Sequence, residues 1–566
     1  MSITRRIYFY LITFAALVVF VMGIGQLLSL LFDVIFHDAT LTQIGRETFN
    51  IRQFSLGLAM ILIAGPLWFF FWRSIQKRVT GNMEEIGSAI RKLFLNLILL
   101  ITAFTGLGTV STFLTWLFDG AQLTYFPSGS LATSIVCVGV WCYHWRISEK
   151  EGYPAPATKT LRRWYVYILS GFGLVWLSVG IVNLISAAVL TLPFWADTLV
   201  SGQFWSDTTR MSIAWILLGS ATWYFHWFRM ARRDIESVLR QVYFYLLAIS
   251  GGAIAALVAL TTTFYNFLKW IFDTTSISAS QNFQFLGWSI PTLFIGIAIW
   301  GYHRQLVQEE QTQIKEQQFS AVRVHTYLMS FIGLATLVTG LIYLFGILLG
   351  LIIGSTGTPV AGSPDGWKVA LSLCLALLIV GTPLWLYFWG KVLKLAEAGG
   401  VIEWRANSRR IYLYIVVGAA IGALIASLVN ILYQVFNGLL QGEFGTQVLR
   451  AVRWSLQVLI VATPLLWYHW RIVRTDQHRG AEVVTARKRV TLIASDRTGE
   501  LASKLTEKLG YKIRVLYSVN QADEVTTSIS DEEIRQTINT IQNSSSQNVL
   551  MVIIGGKIVV FPYQEK

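Results

Sequence analysis

Apolar residues in this chain come in runs longer than a soluble core element needs, and short polar or basic stretches separate them. A helix needs about 20 apolar residues to cross the hydrocarbon of a bilayer. Runs of that order fall near 7–36, 54–72, 93–118, 129–145, 164–189, 211–228, 242–272, 285–303, 324–353, 369–389, 411–436 and 451–470, which predicts twelve transmembrane helices. The first run is too long for the apolar part of a signal peptide and no small-residue cleavage pattern follows it, so it reads as a span. After Gln477 the pattern changes. It now predicts a strand Val490–Ser495, a helix about 498–509, a strand Tyr511–Val519, a helix about 530–542 and a hairpin Val549–Ile554 with Ile558–Phe561, turning at Gly555–Gly556.

Composition agrees with the pattern. Of 566 residues 54% are apolar and only 13% charged, with a mean hydropathy of +0.55, which excludes a soluble globule. The load of 22 Trp, 22 Tyr and 34 Phe suits many bilayer interfaces. The net charge of +14 sits in alternate connections, which points to cytoplasmic loops facing an anionic inner leaflet and away from a nucleic-acid partner. The 73–92 connection carries Arg73, Lys77, Arg78, Arg91 and Lys92; 146–163 carries Arg146, Lys150, Lys159, Arg162 and Arg163; 229–240 carries Arg229, Arg232, Arg233 and Arg240. By contrast 119–128 and 273–284 hold neither Lys nor Arg. This asymmetry places both termini in the cytoplasm. Cys137, Cys142 and Cys374 lie in apolar runs without a CxxC and supply neither a disulfide framework nor a metal site.

The chain also repeats itself. Five first helices open on a basic or polar residue followed by alternating rings: Arg6-x-Tyr8-x-Tyr10, Arg163-x-Tyr165-x-Tyr167, Gln241-x-Tyr243-x-Tyr245, Arg323-x-His325-x-Tyr327 and Arg410-x-Tyr412-x-Tyr414. The second copy keeps only Lys92 and Phe94. Second helices close on Trp68-Phe71-Trp72, Trp141-His144-Trp145, Trp223-His226-Trp227, Trp300-His303-Arg304, Trp385-Phe388-Trp389 and Leu466-His469-Trp470. Six two-helix repeats follow, about 5–80, 81–155, 156–235, 236–315, 316–400 and 401–480. Each starts and ends on the same side, so the fold expected is an all-α polytopic membrane bundle of six parallel hairpins over residues 1–480, with a cytoplasmic α/β domain over 485–566.

Two arrangements could carry chemistry. Sixteen residues beyond the second ring of each opening, Gln26, Thr112, Asn183, Thr261, Tyr343 and Asn430 form a polar layer that reads either as the lining of a solute route or as interhelical hydrogen-bond glue. His144, His226, His303 and His469 share one column of the second helices, and such a column can ligate haem. Phe71 and Phe388 fill the same column in copies one and five, which favours an interfacial aromatic role and no cofactor. Asp33, Asp119 and Asp273 fall at outer helix ends, so no charged group marks a proton- or sodium-driven pathway at mid-membrane. Pro66, Pro383 and Pro464 are expected to kink second helices. In the α/β domain Ser495 or Asp496 caps the helix that follows, and no Walker, GxGxxG, GxSxG or HExxH pattern occurs in its required context.

The repeated hairpin, ring-rich where it opens and closing on W-x-x-[HF]-W before a basic loop, resembles the bacterial multi-pass membrane family called domain of unknown function 5671, in tandem copies over about 5–475. The resemblance implies residence in the bacterial inner membrane and assigns no catalytic residue. Together these readings predict a non-enzymatic scaffold or accessory subunit that meets a membrane or cytoplasmic partner through residues 485–566. A passive channel along the polar layer and a haem-bearing electron-transfer subunit are the competing expectations.

Overall fold

The computed structural model describes residues 3–36, 46–195, 204–232, 234, 237–272, 278–310, 318–353, 366–404, 406–442, 445–486, 489–494, 499–509, 512–517, 531–544, 546, 548–554 and 557–563. Each apolar run becomes a helix, because a backbone in hydrocarbon must satisfy its hydrogen bonds within itself. In order these are α1 (Ile3–Phe36), α2 (Arg46–Val79), α3 (Ala89–Phe118), α4 (Ser128–Glu151), α5 (Pro156–Leu190), α6 (Asp207–Trp223), α7 (Val238–Ile271), α8 (Leu286–Glu310), α9 (Gln318–Ile352), α10 (Gly366–Trp404), α11 (Asn407–Gln441) and α12 (Thr446–Ala486). Ten are long and apolar enough to cross a membrane. The other two, α4 and α6, differ from the expectation of twelve because polar and charged residues occupy their ends, as in the closing Trp145-Arg146-Ile147-Ser148-Glu149-Lys150-Glu151.

The elements fall into two compact units, Met1–Trp389 with Gly445–Arg453, and Gly390–Phe444 with Trp454–Lys566. This division differs from the boundary expected at 480–485, and α12 itself runs on to Ala486. In the first unit α1 packs most extensively on α2, α3 on α4, α5 on α6 and α7 on α8. What permits these pairings is a column of small residues seven positions before the His or Phe of the aromatic tetrad that closes each second helix, W-x-x-[HF]-W in most copies: Ala64, Cys137, Gly219, Gly296, Gly381 and Ala462. All are buried. A Cβ at Gly219 would lie 2.5 Å from the Leu177 nitrogen, and one at Gly173, on the facing helix, 2.6 Å from the Trp223 nitrogen. Backbone therefore meets backbone, the close approach that small residues allow between helices in lipid.

A π-helical turn covers Tyr224–Ala231 at the end of α6 and another, Tyr243–Ile249, lies inside α7. The second explains a one-residue offset. Gly173 and Gly333 each follow the second ring of their opening by six residues and contact the partner helix, whereas in α7 the contacting glycine is Gly252, seven beyond Tyr245. A π turn absorbs one extra residue, so the crossing is preserved. Pro66, Pro383 and Pro464 lie inside continuous helices. The non-helical backbone in α10 is instead at Gly400, whose φ of 51° lies in the left-handed region that glycine tolerates.

In the second unit, β1 (Arg489–Ala494), α13 (Gly499–Leu509), β2 (Arg514–Tyr517), α14 (Asp531–Asn543), β3 (Asn548–Ile554) and β4 (Lys557–Tyr563) follow the predicted order. The sheet runs β2-β1-β3-β4, with β1 parallel to β2 and β3, and β4 antiparallel to β3. Leu492, Leu505, Ile534, Ile541, Val549 and Met551 form its core. The cap at Ser495–Asp496 and the turn at Gly555–Gly556 lie outside the described residues.

A methyl group at Gly296 would sit 2.5 Å from the Gly252 carbonyl oxygen, so Gly296→Ala must push α7 and α8 apart. Overpacking of this kind costs about 1–3 kcal/mol. Thermal unfolding in detergent should show a lowered midpoint for Gly296→Ala and none for Gly301→Ala, where nothing lies within 4 Å. Equal midpoints would contradict the crossing.

Candidate functional site

Charge concentrates where helix pairs begin and end. Arg91, first turn of α3, is fully buried and reaches Glu151 at the end of α4 through Nε at 2.9 Å and through Nη2. Lys92, also fully buried, donates to the same carboxylate at 2.9 Å. The arrangement recurs. Arg163 of α5 forks Asp234 at 2.9 and 2.6 Å, Arg240 of α7 forks Glu310 at 3.0 and 2.6 Å, and in the second unit Arg409 of α11 forks Asp476 at 2.6 and 3.2 Å. In the first copy Arg6 donates to Glu85, in the one-turn helix Met83–Ile86, at 3.1 and 2.8 Å. Burial raises the Glu85 carboxyl, but the hydrogen bond and charge of Arg6 outweigh it and hold the group below its ordinary value. Fork-on-fork guanidinium–carboxylate pairs are the strong, directional kind.

The aromatic tetrads lie beside these clamps and join one pair to the next. Trp72 of α2 sits 5.7 Å from Phe94 and 5.6 Å from His144 of the following pair. Trp145 of α4 sits 6.0 Å from Tyr165, which is 5.5 Å from His226; Trp227 sits 4.9 Å from Tyr243 and 6.0 Å from His303. The clamp arginines cover the same rings, Arg91 over Trp72 at 5.7 Å and Arg240 over Trp227 at 4.9 Å. Indole nitrogens find tyrosine hydroxyls, with Trp72 donating to Tyr143 at 2.6 Å and Trp141 to Tyr165 at 3.1 Å.

The four column histidines are buried and share one geometry. Nδ1 meets the carbonyl four residues earlier, at 2.8 Å for His144 and His226, 2.9 Å for His303 and 3.0 Å for His469. A carbonyl only accepts, so Nδ1 carries the proton and Nε2 is the bare nitrogen. His226 Nε2 faces the Tyr165 hydroxyl at 3.3 Å. A haem ligand would need Nε2 to open on a slot wide enough for a porphyrin. Instead Trp72, Tyr143 and Phe94 crowd His144 at 5.6, 5.1 and 6.4 Å, and Tyr302, Tyr243, Phe244 and Trp227 crowd His303 at 4.9, 5.7, 6.0 and 6.0 Å. None of the three cavities described is lined by one of the four histidines. At His144 and His303 the surrounding rings, and not a cavity, occupy the space a porphyrin would need.

The polar layer is not brought together by hydrogen bonds among the described residues. Thr112 donates to Gly108 O of its own helix at 3.3 Å, and Asn430 accepts from Ser455 of its own pair at 3.1 Å. Tyr343 packs beside Ile347, Ala370 and Cys374, while Asn183 and Thr261 are half-buried. Gln26 alone of the six lines one of the described cavities, a space of about 550 Å³ between α1, α3 and α4 whose walls are mostly apolar. Asp33 lines the same cavity and accepts from Ser128 at 3.2 Å; Asp119 pairs with Arg210 at 3.0 Å; Asp273 lies outside the described residues. Among the described residues no group of His, Cys, Asp and Glu has the arrangement of a metal site.

Repeated pairs of long apolar helices define a multi-pass membrane protein with internal repeats. The chain belongs to the family described as a domain of unknown function (DUF5671), which matches residues 6–128, 126–199, 163–290 and 323–450 and so covers well over half of it in tandem copies. Three of these segments open at the first helices of pairs one, three and five, so the family's unit extends beyond one helix pair. No curated protein and no solved structure matches the chain.

Reading the sequence missed the clamp acids. Glu151, Glu310 and Asp476 follow the tetrad histidine by seven residues and Asp234 follows it by eight, a regularity visible once the histidines are aligned. His325, read in the sequence only as an opening ring of copy five, is buried, meets Ser250 Oγ at 2.9 Å and lies 5.8 Å from the Phe388 ring, so copy five supplies an imidazole from its first helix.

Removing one partner of a buried ion pair strands the other, at a cost of about 3–5 kcal/mol. Glu151→Gln strands both Arg91 and Lys92 and should lower the unfolding midpoint far more than Glu149→Gln, whose carboxylate is half exposed. Comparable midpoints for the two variants would remove the clamp from the account.

Proposed function

We propose that this chain is a non-enzymatic scaffold or accessory subunit of a membrane assembly. In this reading its helices insert as six hairpins, all the same way up, with both termini and residues 485–566 in the cytoplasm of a bacterial inner membrane. The Lys/Arg asymmetry of the connections supports that orientation, and the recurring clamps support hairpins that begin and end together. One observation carries the functional reading. The buried arginines of the clamps pin one helix to its neighbour, and the hydrogen bonds of Thr112 and Asn430 in the polar layer stay inside a single helix or pair, so these groups serve rigidity. A rigid platform with a cytoplasmic α/β appendage is suited to holding a partner. Residues of β1 to β4 and their two helices have their own core, which makes this segment the natural contact.

Co-purification from native membranes tests the proposal, with the full chain and with residues 485–566 deleted. A partner retained by the first and lost from the second is the expected result, and no partner in either case contradicts it. Flux into liposomes that falls on Gln26→Leu would favour the channel reading instead, and a Soret band in the purified protein would favour the haem reading.

A further inference from the structure

We propose that the cavity at the basic end of α5 is a binding site for a phosphate-ester group. This goes beyond the scaffold reading and does not depend on it. The cavity measures about 330 Å³ and lies between the start of α5, the preceding connection and the end of the π turn that follows α6. Lys159, Arg162, Arg163 and Asp234 line it; with Asp234 paired to Arg163 and Glu149 paired to Arg162, one positive charge is left over. Asp234 is committed to Arg163, which forks it at 2.9 and 2.6 Å, and it also accepts from Tyr167 at 3.3 Å.

The excess therefore resides on Lys159, with the Glu149-paired Arg162 beside it. Lys159 is exposed and makes no ion pair among the described residues. Arg162 is held rigidly. Its guanidinium lies 4.2 Å from the centre of the Trp145 ring, 5.3 Å from Tyr165 and 5.4 Å from Tyr153, and Nη2 is tied to Glu149. Its Nη1 is buried and makes no hydrogen bond among the described residues. A stacked, pre-oriented arginine with an unspent donor beside a free lysine is the donor set that recognises phosphate oxygens, since the planar fork loses little freedom on binding. Val166, Met230 and Ala231 supply apolar lining to the same cavity. That lining suits the glycerol and first methylenes of an anionic phospholipid, and basic pockets between membrane helices commonly take such head groups. A soluble phosphate ester offers the same oxygens, so the experiment must separate the two sources.

The test uses the full chain in a neutral detergent at constant ionic strength. Binding is measured against inorganic phosphate, glycerol 3-phosphate, micelles containing phosphatidylglycerol, and micelles containing uncharged monoacylglycerol. Three variants are compared with the wild type: Lys159→Glu, whose side chain is exposed; Arg162→Gln; and Arg229→Glu, an equal charge reversal on an exposed residue that does not line the cavity. Unfolding midpoints without ligand show which variants retain the fold. Each basic charge near a head group contributes about 1 kcal/mol, so Lys159→Glu should weaken phosphatidylglycerol binding about tenfold or more, with Arg229→Glu near wild type. Loss confined to phosphatidylglycerol identifies a lipid head group, and parallel loss for the two soluble phosphates identifies a free ester; both support the site. Wild-type binding by Lys159→Glu, equal losses for Lys159→Glu and Arg229→Glu, or no binding of any phosphate probe overturns it.

Discussion

The arginine–carboxylate fork at the foot of each clamped helix pair is the contact on which the remaining geometry depends. In water such a pair contributes little, because solvent screens both charges. Here Arg91, Arg240 and Arg409 are almost wholly buried, and a buried charge is tolerated only with its partner in place. Arg240 shows how this is met, with Glu310 taking two donors, the Ala231 carbonyl a third at 2.5 Å, and the rings of Trp227 and Phe244 covering its face at 4.9 and 5.0 Å. One such fork fixes where the second helix must end relative to the start of the first. Once that end is fixed, the register of the pair is fixed along its length.

The small-residue column supplies the complementary condition. Lipid tails are as apolar as leucine, so no hydrophobic force drives one spanning helix onto another, and close packing has to supply the attraction. Gly219 against Leu177 and Gly296 against Gly252 bring backbones to van der Waals contact near the middle of their pairs. The clamp sets register at one end and the crossing sets distance further along. The π turn of Tyr243–Ile249 shows that the crossing has priority, since the helix takes up an extra residue there and still delivers Gly252 to Gly296. Between the two levels, the tryptophans Trp72, Trp145 and Trp227 link successive pairs through rings and indole donors.

Much of this was legible in the sequence. Runs of apolar residues located the helices, and the alternating rings and W-x-x-[HF]-W closures located the repeat, because both depend on local composition. The order of elements in the α/β segment followed from strand and turn chemistry. What the sequence hid is pairing across long separations. Nothing near Arg163 announces Asp234, and Asp234 directly follows the arginine pair Arg232-Arg233 in the chain, so a count of loop charge reads it as minor. Glycines such as Gly219 look ordinary in an apolar run until the facing helix is in place. For the histidine column, Phe71 and Phe388 at matching positions already favoured an aromatic role in the sequence, but the burial of the four rings and the bond from each Nδ1 to its own helix became visible only with the neighbouring helices in place.

A double-mutant cycle on Arg240 and Glu310 tests the central claim most directly, using Arg240→Met, Glu310→Gln and the two combined, with unfolding free energy in detergent as the readout. If the fork sets the pair, each single change strands a charge or its donors, and the combined variant should lose less than the sum of the two by about 0.5–3 kcal/mol, the coupling expected of directly bonded groups. Losses that simply add would mean that the two residues act independently, and the clamp would then not be what holds these helices together.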